Sequence, residues 1–359
     1  MTDVTPPLAR SVQRTGLARL TGSRLDNHLL ESAALAHRLD CLRVGPLTFT
    51  AVYAHGEVGF HGTASLTTSK IGREIAADAQ HTRSALTVAG VSVPAGRAFE
   101  PGQLDQARRY ADSLGYPVVV KPVGGRGGAG VATGLGDGSA VTMAVIELTR
   151  TTSAERRFVV ERHIDGPTLR VYVAAGRVLW ALRATDGLEI TADLDPEVAT
   201  LAVRAADAVL GLGHACVDVV AGDPPVVVDI DATPPLVRAA HGGAPGSDLI
   251  RGRDLARTLV RAQLGGTSEP LPGDLPVRLE VFLGGVREAG VLRRKLGRLA
   301  RELAVTADVS DDTGGIRAAI VGPLDRAAAI PSLLSIGRVT PELIETAAPE
   351  PVATAEGAA

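Results

Sequence analysis

Lys121 closes a run of three valines, Val118-Val119-Val120-Lys121, and a glycine-rich stretch follows it: Gly125-Arg126-Gly127-Gly128-Ala129-Gly130. A lysine at the end of an apolar strand offers a point charge to phosphate oxygens. Glycines let backbone N–H groups approach those oxygens with no Cβ in the way. The stretch has the G-x-G-x-x-G spacing, but a dinucleotide turn of that kind needs a helix to begin inside it. Gly134, Gly136 and Gly138 follow instead, which favours a flap between two strands over a Rossmann turn. No Gly-Lys-Ser/Thr follows either, so this is not a Walker loop.

Acidic residues form the second group. Asp218 lies within Val217-Asp218-Val219, and Asp229 and Asp231 lie within Val228-Asp229-Ile230-Asp231, with the short turn 221–225 between them. Side chains alternate along a strand, so Asp229 and Asp231 share a face and a hairpin brings Asp218 within reach. Three carboxylates between apolar runs repel one another unless a cation neutralises them. Oxygen ligands suit Mg²⁺, with Mn²⁺ as a substitute, bridging to nucleotide phosphates. A third segment, Phe158-Val159-Val160-Glu161 followed by Ile164 and Gly166, reads as a strand entering a hinge where an adenine-type ring binds. Its backbone groups and Glu161 would hydrogen-bond the base.

The elements that must carry these groups can be placed by periodicity. Helices are expected over 27–39, 68–89, 103–114, 139–149, 196–210 and 247–264. Strands are expected over 41–44, 48–53, 91–94, 117–121, 158–161, 169–174, 178–184, 215–220 and 226–231, with Ala175-Gly176 turning a hairpin. A Pro/Gly-rich linker at 266–276 precedes a compact strand–helix–strand–strand–helix unit over 277–338. The expected organisation is a loose extension at 1–25, an N-terminal region at 26–98, a nucleotide-binding and catalytic domain at 99–265, the linker, the 277–338 unit, and a loose tail at 339–359.

Composition narrows the classes of function. The 359 residues carry a formal charge of −3 and are 45% hydrophobic and 21% charged. That balance gives no basic footprint for nucleic acid. No apolar run is long enough to span a membrane. Cys41 and Cys216 stand far apart, which implies two buried thiols in a reducing compartment and not a disulfide framework. His163, His214 and His241 lack metal-ligand spacing. A soluble cytoplasmic protein is expected.

The ordered set of strand lysine, glycine flap, Val-Glu-Arg-x-Ile-x-Gly hinge, Val-Asp-Val and Asp-x-Asp-Ala-x-Pro resembles the ATP-grasp superfamily. The branch containing cyanophycin synthetase and related amino-acid ligases is the most similar, over residues 30–265. The resemblance implies an α/β and α+β ATP-grasp fold and an ATP-dependent carboxylate–amine ligase acting on amino acids or peptides, as a homodimer. It places Lys121 on ATP phosphates and Gly125, Arg126, Gly127 and Gly128 in the flap over them. Glu161 and Ile164 fall at the adenine hinge, and Asp218, Asp229 and Asp231 on Mg²⁺. Arg170 and Arg183 would face the transferred phosphate or the acyl phosphate. Several positions depart from the family: Asp229-Ile230-Asp231 stands for Glu-x-Asn, Pro235 for glycine, Ala79 for a lysine and Thr168 for an acid. These departures support an alternative, a nucleotide-binding regulatory or scaffolding protein without ligation.

The segment from Val281 through Gly284-Gly285 to Arg293, then Val309, resembles the acylphosphatase domain, a ferredoxin-like α/β sandwich. Arg293 falls on that family's phosphate-binding arginine. Asp311 replaces its water-positioning asparagine and Glu288-Ala289 its glutamine–glycine, which implies a degenerate domain kept for scaffolding or docking.

Overall fold

The computed structural model describes residues 19–53, 56–124, 129–151, 157–237, 247–266 and 268–352. The chain divides into two compact units, Thr67–Pro234 and a second made of Met1–Leu66 with Pro235–Ala359.

The Thr67–Pro234 unit holds two four-stranded sheets. In the first, the order is Gly96–Phe99, Phe158–Arg162, Val118–Pro122, Ala132–Leu135, all antiparallel. Alternation sorts its side chains. Phe99, Val118, Val120, Phe158 and Val160 are buried in one cluster with Ala107 and Ala111 of helix Leu104–Leu114 and with Val141, Val145 and Leu148 of helix Gly138–Thr151. Val119, Lys121 and Glu161, one position out of phase, therefore look out from the other face.

The second sheet runs Arg177–Arg183, Thr168–Ala174, His214–Val220, Val226–Asp231. Val171, Val173, Ala181, Val217, Val219, Val227 and Ile230 bury one of its faces with Val198, Leu201, Ala202 and Ala205 of helix Pro196–Ala208. A bulge between Asp218 and Val219 on the pairing with Val226–Asp231 keeps Val227 and Ile230 both on that core side. The hairpin between Ala174 and Arg177 turns on Ala175 and Gly176, at φ 50° and 68°. Two left-handed residues in a row suit the twist of the flanking strands.

Two local expectations change here. The helical run 68–89 is broken into Lys70–Ala76 and Ala79–Val88, because Asp78 takes an extended conformation and caps the second helix through Gln80 N and His81 N. An aspartate is a stronger N-cap than a helix-interior residue. The strand expected at 91–94 is irregular, and the paired strand is Gly96–Phe99, beyond Pro94, which has no N–H to give a ladder.

The other unit is built on a nine-stranded antiparallel sheet. Its C-terminal part follows the order strand Pro276–Gly284, helix Ala289–Leu303, strand Thr306–Asp312, strand Gly315–Pro323, helices Leu324–Ala327 and Ala329–Leu334, strand Leu343–Thr346. In the sheet these strands lie second, third, first, fourth. Leu292, Leu296, Leu299 and Leu303 recur at helical spacing and are buried. The tail expected to be loose from 339 instead supplies Leu343–Thr346, which pairs with both Pro276–Gly284 and Asp40–Arg43. Ile344 and Thr346 are 1% exposed. A strand-like alternation survives there inside an otherwise Ala/Pro/Glu-rich stretch. Through that strand the sheet continues into Asp40–Arg43, Thr48–Tyr53 and Gly56–His61, so residues 277–338 do not stand apart as a separate sheet.

A buried polar knot ties this unit's N- and C-terminal segments. Glu31, on helix Ser23–Ala36, receives Arg43 through Nε and Nη2 at 2.7–3.0 Å. It also accepts from Ser332 Oγ at 2.9 Å, and Ser332 Oγ lies 3.2 Å from His28 Nδ1. All four residues are at most 3% exposed.

Candidate nucleotide and metal site

Lys121 reaches from its strand to two partners. Its ammonium lies 2.9 Å from Glu161 Oε1 and donates to the Val228 carbonyl at 2.9 Å. The second contact joins the lysine strand to the aspartate strand Val226–Asp231 and so links the two sheets. Glu161 also pairs with Arg83, on helix Ala79–Val88, which donates in addition to the Pro94 carbonyl. One carboxylate that is 3% exposed thus serves two cations. Gly96, opposite Glu161 in register, makes room for this: a Cβ there would lie 2.6 Å from Glu161 Cβ and 2.8 Å from Arg83 Nη2. Glu161 was expected to face a base at the hinge, but here it holds Lys121 and Arg83 in place. Ile164 is half-buried in the irregular segment after strand Phe158–Arg162. Gly125, Arg126, Gly127 and Gly128 lie outside the described residues.

On the second sheet the register sets the chemistry. Arg170 stands opposite Asp218, and Asp218 opposite Asp229. One step along, Tyr172 stands opposite Cys216, and Cys216 opposite Asp231. All six project from the face away from the valine core. Arg170 grips Asp218 with two bonds, Nε to Oδ1 at 2.9 Å and Nη2 to Oδ2 at 3.1 Å. Burial works against the Arg170 charge, but the Asp218 carboxylate outweighs it and holds the guanidinium firmly protonated. The Cys216 thiol is pushed well up, first by burial and then by Asp218, so it is inert as a nucleophile.

Arg183 does not join Arg170. In register it faces Leu169, while Arg170 faces Leu182, so consecutive alternation sends Arg183 to the opposite side of the sheet. There it pairs with Asp186 at 3.0 Å. Of the expected trio of aspartate ligands, Asp218 has both oxygens in contact with Arg170. Among the described residues no three His, Cys, Asp or Glu side chains gather to hold a metal ion.

Asp229 and Asp231 remain together on one face. Crowding by protein atoms pushes the Asp229 carboxyl up to about 6. Lys121 opposes that push, and Asp218 and Asp231 add to it. Asp229 keeps exposed surface, so water softens the effect. Asp231 Oδ1 accepts from Thr233 N at 2.8 Å and Thr233 Oγ1 at 3.2 Å. Two like-charged carboxylates fit a hard divalent cation, which takes one or two protein carboxylates and fills its remaining positions with phosphate oxygens and water.

Sequence reasoning passed over Arg83 and Gly96. Both matter only through Glu161, which lies 78 residues from Arg83, and no local spacing signals that pairing.

Residues 78–171, which carry Lys121, Glu161 and Arg170, match the family model described as the carbamoyl-phosphate synthase L chain, ATP binding domain. That segment is therefore similar to a family of ATP-binding domains. Among curated relatives, a cyanophycin synthetase from Geminocystis herdmanii is 31% identical over 127 residues, 35% of this chain and 14% of that protein. A D-alanine–D-alanine ligase from Desulforudis audaxviator is 27% identical over 267 residues, 65% of this chain and 77% of that protein. The chain therefore spans about a seventh of the length of the cyanophycin synthetase it matches. Among solved structures, a D-alanine–D-alanine ligase from Bacillus anthracis aligns with 55% of this chain and 71% of its own at 19% identity, with a TM-score of 0.43.

Proposed function

We propose that the chain is an ATP-dependent carboxylate–amine ligase that forms an amide through an acyl phosphate, with amino acids or peptides as substrates. The observation that carries this reading is the contact of Lys121 with the Val228 carbonyl. It sets a phosphate-seeking ammonium beside the Asp229–Asp231 pair, inside a segment matching an ATP-binding family. The relatives' names, cyanophycin synthetase and D-alanine–D-alanine ligase, support the ligase class.

In this reading a carboxylate oxygen of the acid attacks the γ-phosphorus of ATP, and ADP leaves. The amine nitrogen then attacks the acyl carbon, inorganic phosphate leaves, and the amine gives up a proton. Lys121 exchanges its internal partners for phosphate oxygens and stabilises the transferring charge. Asp229 and Asp231 would hold Mg²⁺, which supplies charge neutralisation at the phosphates. Arg170, fixed by Asp218, presents a permanent positive charge on the same face. No side-chain nucleophile is required. The protein works in the cytoplasm in this account, and pairing into a homodimer accompanies it.

The C-terminal part serves as a docking or scaffolding module of ferredoxin-like, acylphosphatase-like type. Its strand order and its strand–helix alternation support that fold. Arg293 there is bound to Asp311 and to the Val309 carbonyl.

A second reading, nucleotide binding without ligation, draws on the engagement of Asp218 by Arg170. The two readings separate on ADP and phosphate release with Mg-ATP across a panel of acids and amines, for wild type and Lys121→Ala. Release that needs a particular acid–amine pair and vanishes in the variant supports ligation. Tight ATP binding with no stimulation by any pair supports the second reading.

A further inference from the structure

Helix Ala289–Leu303 carries five cations in fifteen residues, Arg293, Arg294, Lys295, Arg298 and Arg301, against one acid, Glu302. Nothing above gives its outward face a role. The buried leucines 292, 296, 299 and 303 fix which way the cations point. The helical period sends Arg294, Arg298 and Arg301, spaced i, i+4, i+7, to solvent in one stripe about 10 Å long.

The stripe is short of anions. Arg19 Nη2 donates to both oxygens of Glu302, at 3.0 and 2.9 Å, so the one acid of the helix already has a close partner. Arg298 reaches Glu302 only at 3.8 Å and is more than half exposed. Among the described residues the exposed Arg294 and Arg301 have neither a hydrogen bond nor an ion pair. Lys295, beside the stripe, donates to the carbonyls of Leu334, Ile336 and Val339 at 2.6–3.2 Å. It thereby holds exposed Arg338, within that segment, next to the helix. Burial, then the charges of Arg298 and Arg19, lower the Lys295 pKa to about 8.

The stripe is also flat, because Gly290 and Gly297 lie on it between the arginines. A Cβ at Gly290 would meet only Arg294 Nη1, at 3.6 Å, and one at Gly297 only Arg301 Nη1, at 3.8 Å. Both are ordinary contacts, so the chain's own packing does not call for glycine at either place. Glycine weakens a helix interior, but it leaves room for another backbone to come close.

We propose that this stripe docks an acidic polypeptide segment whose carboxylates repeat at helical spacing, received by Arg294, Arg298 and Arg301. This rests on the reading of the C-terminal part as a docking module. Guanidinium forks match carboxylates in two-pronged geometry. A polyphosphate fits less well: the whole chain carries a formal charge of −3, and the helix has no aromatic side chain for a base to stack on. A membrane surface fits less well too, since a stripe of arginine and glycine has no apolar side chain to insert.

Fluorescence anisotropy with the full chain tests this without turnover. The probe is a labelled alanine-based peptide, about 18 residues so as to be helical, with glutamates at the i, i+4, i+7 spacing. Its controls are the glutamine and lysine versions, the glutamate peptide in scrambled order, and a labelled oligothymidylate. The proteins are wild type, a charge-reversed pair (Arg294→Glu with Arg301→Glu) and a charge-retaining pair (Arg294→Lys with Arg301→Lys), each checked for an unchanged urea midpoint. At low salt the spaced glutamate peptide should bind wild type about tenfold or more tightly than its glutamine version. It should bind several-fold more tightly than the scrambled peptide. The charge-reversed pair should erase this binding, and the charge-retaining pair should keep it within a few-fold. Equal binding of the glutamate peptide and its glutamine or scrambled version overturns the proposal, as does undiminished binding in the charge-reversed pair. So does oligothymidylate that binds as tightly as the peptide and is lost with the same arginines, which would make the stripe a nucleic-acid surface. Binding of the glutamine or lysine peptide alone overturns the acidic partner and leaves the docking reading standing. Binding of no peptide at all overturns both.

Discussion

Lys121 and Arg83 approach Glu161 from different elements, a strand and a helix, and share its carboxylate, with Lys121 at 2.9 Å. The carboxylate is nearly closed to solvent and the two cations are about one-eighth exposed, so removing the anion leaves two like charges facing each other with little water between them. Glu161→Gln should lower unfolding stability by about 3 kcal/mol. Urea denaturation followed by circular dichroism checks this. A loss under about 0.5 kcal/mol would mean that the cations find other partners or water.

Gly96 is the space-maker for that triad. With a Cβ 2.6 Å from Glu161 Cβ, Gly96→Ala has to push apart the hinge strand and Arg83. A cost of roughly 1–3 kcal/mol is expected from overpacking, together with weaker ATP binding as Lys121 shifts with its partner. Parallel denaturation and nucleotide titrations read both effects.

Arg170 and Asp218 form a two-bond pair with side chains under one-fifth exposed. A double-mutant cycle with Arg170→Met and Asp218→Asn should give a coupling of about 2 kcal/mol in stability. Asp218→Asn alone should also lower turnover, because Arg170 loses its fixed direction. If Asp218 instead served chiefly as a metal ligand, the coupling with Arg170 would fall near zero.

His28 sits in the buried knot with Ser332 and near Arg43. Burial, aided by the Arg43 charge, lowers its pKa to about 3. A group depressed in the folded state contributes stability above its unfolded pKa of 6.5, and that stability is lost as pH falls toward 3. Asp26 runs the other way. It is raised to about 6 by burial, against the backbone N–H groups of Val237 and Leu236 that favour its charged form. Its contribution is present below 3.8 and lost as pH rises through 6. Between pH 6 and 4 the two therefore oppose each other. His28→Gln should remove the acid-labile part, up to about 1.4 kcal/mol per pH unit, leaving a variant whose stability holds or rises on acidification. Urea midpoints at pH 7, 6, 5 and 4 measure it. A slope identical to wild type would place the acid sensitivity elsewhere.

Much of the site could be read from single segments. The valine run marked the strand under Lys121, and the Asp229-x-Asp231 alternation put two carboxylates on one face. The five-residue turn 221–225 brought Asp218 opposite Asp229. What local reading missed depended on partners distant in sequence. Arg183 looked equivalent to Arg170 until register showed it one position out of phase. Asp218 also takes Arg170 in two bonds, a partner 48 residues away that no local spacing signals. The strand Leu343–Thr346 was hidden because four alternating residues carry little signal and their stability comes from two flanking strands.

The central claim, carboxylate activation by phosphoryl transfer, is tested most directly with an acid labelled with ¹⁸O in its carboxylate. The acid that stimulates ADP release would be incubated with Mg-ATP and the amine, and the inorganic phosphate analysed by mass spectrometry. The expected result is one ¹⁸O per phosphate formed, because the attacking carboxylate oxygen leaves with the phosphate, and ADP as the nucleotide product. Unlabelled phosphate, or release of AMP in place of ADP, would contradict it.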